Sequence, residues 1–153
     1  MPTQISQQWP DEIAIDVVTP LTVLRALASS LEQKTKGILQ AEISTFYPKE
    51  DLVQHSFEIV APAVAYYRHQ LLIAEHHREL VYPVTLTGYF LYNPMLGNTV
   101  YTRGTKLVST QQELDRALGE TIRSPSTLAV IQSLIARSRE AAQTESGNAT
   151  QNK

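Results

Sequence analysis

The stretch EHHRE, Glu75 to Glu79, sets two adjacent histidines between two carboxylates, residue types that can hold a metal ion or move a proton. With His69 just upstream, the segment from Tyr67 to Pro83 carries three of the chain's four histidines. The spacing speaks against both chemistries. It is not H-E-x-x-H, where helical spacing puts two imidazoles on one side. In an extended chain His76 and His77 would point to opposite faces, which is poor geometry for a shared metal. The chain has no cysteine, so disulfides, thiolate zinc sites and thiol nucleophiles drop out together. His55 and His69 both fall on the apolar parity of their strands, near strand ends, where a half-buried histidine bonded to backbone is the expected state. An antiparallel pair closed near Pro62 would separate these two, so no joint site is expected.

Other chemistry is sparser. There is no G-x-S-x-G elbow, no Walker loop and no G-x-G-x-x-G, and the six glycines are scattered. Aspartate occurs only at positions 11, 16, 51 and 115, so no carboxylate pair stands out. No catalytic residue, cofactor or metal ligand is therefore assigned. Tyr66-Tyr67-Arg68 has the form of a stacking platform for single-stranded nucleic acid. A formal net charge of -2 opposes nucleic-acid binding in general. Arg103, Lys106, Arg116 and Arg123 are spaced too loosely to form a basic patch.

The elements that must position these residues follow from periodicity. The segment 1–18 has none and is read as an N-terminal arm. Thr19-Pro20 supplies a hydroxyl N-cap and a proline at the first helical position. Leu24, Leu27 and Leu31 then recur at helical spacing, and Gly37 ends the helix. From Ile38 the period changes to two. Leu39, Ala41, Ile43 and Tyr47 share one face of a first strand, and Val53, Phe57 and Ile59 one face of a second. Pro62 ends that strand. Leu71 and Ile73 are expected inward on a third strand, opposed by Arg68, Gln70 and His76, and Leu80, Tyr82, Val84 and Leu86 inward on a fourth. Keeping those faces together pairs Glu75 with Leu80 and Ile73 with Tyr82, which leaves His76-His77-Arg78-Glu79 as a solvated four-residue loop. Asn93-Pro94 and Gly97-Asn98 are turn signals, so Gly88–Val108 is read as a long hairpin into a fifth strand. Thr110-Gln111-Gln112-Glu113 is a capping box, and Ser124-Pro125 repeats the cap-plus-proline signal before Leu128, Ile131, Leu134 and Ile135. After Glu140 the chain is small and polar.

These readings give an α+β domain: an antiparallel four- to five-stranded meander sheet with one N-terminal and two C-terminal helices packed on one face. The domain spans 19–141, followed by a disordered tail at 142–153. The length of 153 residues and 42% apolar content suit one globular unit. No apolar run approaches the roughly 20 residues of a membrane span, and no cationic stretch leads into an apolar one at the start, so a soluble cytoplasmic protein is expected. The expected function is a non-catalytic protein-interaction or accessory module that meets a protein partner or a second copy of itself. Its contact surface would carry Tyr89, Phe90, Tyr92 and Tyr101. The alternative is a small-ligand-binding protein or hydrolase, its pocket between sheet and helices ringed by Tyr47, His55, His69 and Tyr82, where a histidine could act as general base.

Overall fold

The computed structural model describes residues 8–92 and 100–151, apart from the side chains of Tyr92, Val100 and residues 145–151. Helix α1 spans Pro20–Lys34, and the Thr19 hydroxyl accepts the Thr22 N–H at 3.2 Å, as the Thr-Pro signal predicts. The helix ends where the Thr35 hydroxyl donates to the Leu31 carbonyl and the chain turns through left-handed backbone at Lys36 and Gly37. Five strands follow: β1 (Gln40–Phe46), β2 (Leu52–Ala61), β3 (Tyr67–His77), β4 (Val84–Tyr92) and β5 (Val100–Val108). They form one antiparallel sheet in sequence order, with β1 and β5 at its edges. Helices α2 (Gln111–Arg123) and α3 (Pro125–Gln151) complete the α+β architecture.

Alternation decides which face the helices cover. Ile43 pairs with Phe57 and Phe57 with Leu72, so their side chains share a face. Leu24 of α1, Leu114 and Leu118 of α2 and Leu134 of α3 bury against this face. Each fully buried side chain of this kind contributes about 1.5–3 kcal/mol. The capping box holds: the Thr110 hydroxyl accepts the Glu113 N–H at 3.1 Å, while the Glu113 carboxylate accepts the Ser109 N–H at 2.7 Å. At Gly88 helix and sheet approach so closely that a Cβ would lie 2.7 Å from the Thr121 hydroxyl oxygen. That hydroxyl donates to the Tyr89 carbonyl at 2.9 Å.

Three expectations need correction. First, β3 contains a bulge: Phe57 opposes Leu72 while Glu58 opposes Gln70, which leaves Leu71 as an extra residue. Leu71 and Leu72 are both buried, and beyond them the inward set is Leu72, Ala74 and His76 rather than Leu71 and Ile73. Second, β3 runs on through His77, and its pairing with β4 aligns Ile73 with Thr87, Ala74 with Leu86 and Glu75 with Thr85. The connection from Arg78 to Pro83 therefore includes Leu80 and Tyr82, and His76 and His77 belong to the strand. Third, α3 continues through the segment expected to be a tail, as far as Gln151. Alanine, glutamate and glutamine favour helix there, and no proline intervenes. The turn signals Asn93-Pro94 and Gly97-Asn98 lie outside the described residues.

Candidate functional site

The bulge that reverses the parity of β3 also brings two histidines together in the core. His55 on β2 and His76 on β3 are both buried, with their Nε2 atoms 3.3 Å apart. The ring centroids lie 5.4 Å apart, which is nearly the Nε2 separation plus the two ring radii, so the nitrogens face each other almost head-on. Nδ1 of His76 lies 2.6 Å from the His77 carbonyl oxygen, which can only accept, so this nitrogen carries the proton. In the neutral pair His76 Nε2 is then a bare acceptor, and His55 Nε2–H donates to it. His55 Nδ1 in turn accepts from the Thr45 hydroxyl at 2.9 Å. One carbonyl thus fixes a chain of three bonds from β1 through β2 to β3. Burial, the neighbouring His76 and the Arg25 guanidinium hold the His55 pKa below its ordinary value.

The remaining histidines lie apart. His69 is half-buried opposite Ile59, and burial together with Arg103 lowers its pKa. His77 is exposed, 4.0 Å from the Asp51 carboxylate. Arg78 ties this end of β3 to the turn between β1 and β2. Its backbone N–H donates to the Asp51 carbonyl, its guanidinium donates to the Glu50 carbonyl at 2.9 Å, and it lies over the ring of Tyr47. Among the described residues no group of three or more metal-ligating side chains comes together.

Of the expected pocket residues, Tyr47 is exposed beneath Arg78, His55 is buried against His76, and His69 lies farther along the sheet. Tyr82 donates its hydroxyl to the Val18 carbonyl at 3.0 Å, and burial followed by Asp115 raises its pKa. The four do not ring one cavity. A groove of about 520 Å3 does lie between helices and sheet, but its apolar lining is Leu27, Leu31, Phe57, Ile59, Ile131 and Ile135, with Lys34 and Arg123 beside them.

The expected contact residues also divide. Phe90 is buried on the helix side. Tyr89 pairs with Arg103, Leu91 with Tyr101 and Thr85 with Leu107, which places those residues on the opposite, helix-free face. There Leu91 and Leu107 are exposed, and the Arg103 guanidinium lies 5.5 Å from the centre of the Tyr89 ring. The backbone of Tyr92 pairs with Val100, and its side chain lies outside the described residues. In the Tyr66-Tyr67-Arg68 triplet, Arg68 is held by the carboxylates of Glu42 and Glu58, which leaves it less free to meet a phosphate. Comparison with family models, curated proteins and solved structures returned no match. No helix among the described residues is long and apolar enough to cross a membrane.

Proposed function

We propose that this protein is a non-catalytic interaction module that associates with itself through the helix-free face of β4 and β5. The observation that carries this reading is that Tyr89, Leu91, Tyr101 and Leu107 share the sheet face opposite the helices, on β4 and the edge strand β5, with both leucines exposed and both tyrosines half-buried. Exposed apolar side chains beside partly accessible aromatic rings mark contact surfaces, and aromatic anchors supply much of the binding energy there. Replacing Tyr101 and Leu107 with serine should lower the mass measured by light scattering while the circular dichroism melt stays unchanged. A dimer of undiminished stability, or loss of fold without change of assembly, would overturn the assignment.

The groove supports a second reading, the binding of one small apolar ligand. Its volume falls in the range of about 300–1,000 Å3 typical of ligand sites. Lys34 and Arg123 suit a single-chain ligand with an anionic head. Dodecanoate should raise the melting temperature, and Ile131→Trp, which fills the groove, should abolish that rise. No shift in the parent protein would dismiss this reading.

A further inference from the structure

The segment leading into α1, Asp11-Glu12-Ile13-Ala14-Ile15-Asp16-Val17, belongs to no helix or sheet and is exposed throughout. Ile13, Ile15 and Val17 are 64%, 94% and 58% exposed, and no backbone group of residues 11–17 takes part in a backbone hydrogen bond among the described residues. The chain is anchored just beyond, where Val18 accepts the Tyr82 hydroxyl and Thr19 caps α1. Its sequence alternates as a strand does: extended, it would put Ile13, Ile15 and Val17, with Asp11, on one side and Glu12 and Asp16 on the other.

We propose that this arm pairs as an added strand with the β5 edge of a second copy of the chain. Strand addition supplies the backbone partners that the arm lacks, and alternating side chains set its register. A groove between helices would satisfy the isoleucines but not the backbone. The sheet offers two edges, and charge chooses between them. β1, Gln-Ala-Glu-Ile-Ser-Thr-Phe, carries an acid and no base, whereas β5, Val-Tyr-Thr-Arg-Gly-Thr-Lys-Leu-Val, carries Arg103 and Lys106 and no acid. The β1 acid, Glu42, is already neutralised by Arg68, so β1 offers an acidic arm no attraction, whereas β5 offers Arg103, which makes no ion pair among the described residues. On β5 both sides of the arm find counterparts. Ile13, Ile15 and Val17 then lie on the helix-free face with Tyr101 and Leu107, and Asp11 lies on the same face as Arg103. Glu12 and Asp16 then lie on the helix side, the side of Lys106, whose ammonium sits 3.6 Å from the Glu120 carboxylate. Because Ile15 is almost fully exposed in a single chain, the pairing is between copies rather than within one.

This inference rests on the self-association proposed above, and its test separates the two. Ile13→Asp with Ile15→Asp in the full chain should weaken dimerisation by about ten-fold or more without moving the melting temperature of the monomer. The native chain has no cysteine, so single thiols report proximity cleanly. Chains carrying Ile15→Cys, mixed under oxidation with chains carrying Arg103→Cys, Thr105→Cys or Leu107→Cys, should form a disulfide-linked heterodimer with at least one of the three. Cross-linking instead to Ser44→Cys on β1 or to Leu128→Cys at the groove would overturn the assignment to β5. An intrachain link in the Ile15→Cys, Leu107→Cys double variant, with the protein monomeric, would overturn exchange between copies. A dimer that survives the aspartates but dissociates on Tyr101→Ser refutes the arm alone, whereas a monomeric native chain refutes the self-association reading as well.

Discussion

Acidification should destabilise this fold through its buried histidines, and His55 makes the effect traceable. In the unfolded chain His55 binds a proton near its ordinary pKa of 6.5, while in the folded chain burial, His76 and Arg25 depress that value. Below about pH 6.5 the unfolded state therefore holds more protons than the folded one, so stability falls as pH falls. The contribution is complete above that pH and is lost as pH approaches the folded value. The structural cause is specific. A proton taken up by His55 goes to Nδ1, the nitrogen that accepts from Thr45, so that hydroxyl must turn round and the new charge is buried beside the Arg25 guanidinium of α1. One such histidine contributes a slope of at most about 1.4 kcal/mol per pH unit, and His69, lowered for the same first reason, can bring the limit to about 2.7. Against a domain stability of about 5–15 kcal/mol this is a large loss. Urea unfolding at several pH values between about 7.5 and 5.5 measures the slope. His55→Leu should lower stability at neutral pH, because it strands the buried His76 Nε2, and should reduce the slope by about half. A profile that is flat from pH 6.5 downward, or equally steep in His55→Leu, would refute the reasoning.

Two further predictions concern packing. Phe57→Ala should cost toward the lower end of about 3–5 kcal/mol, since the ring is buried but borders an existing groove. Glu58→Ala, which removes only a half-exposed partner of Arg68, should cost less than about 1 kcal/mol; equal losses in urea titrations would contradict the strand parity. Gly88→Ala should destabilise by about 1–3 kcal/mol by pressing on Thr121, and Thr121→Ala should restore part of that loss in the double variant. An unperturbed melt for Gly88→Ala would show that α2 shifts freely.

Where the code is local, the sequence is legible. Thr19-Pro20 and Thr110 to Glu113 name helix starts because a hydroxyl, a proline and a carboxylate act within one turn. Alternation on β1 and β2 names the buried face because each strand stays regular. The third strand is different. Leu71-Leu72-Ile73-Ala74 is apolar at every position, so periodicity cannot assign its inward set, and the bulge that admits both leucines depends on the partner strand. The reversal carries His76 from the expected loop into contact with His55. The proposed contact face was legible only in part: β4 alternation separates Phe90 from Tyr89, but a cluster of aromatic residues in the sequence does not.

The pairing of β3 with β4 is confined to Ile73–Glu75 opposite Thr85–Thr87, while β4 pairs with β5 from Val84 to Tyr92 and β2 with β3 from Leu52 to Ala61. So short a seam is the expected place for sub-global opening, with α1 and β1–β3 on one side and β4, β5 and α2 on the other, and amide hydrogen exchange in the two blocks should then follow separate free energies. The second unit owns the β5 edge. A partner strand seated there stabilises that block first and protects its amides before those of β1.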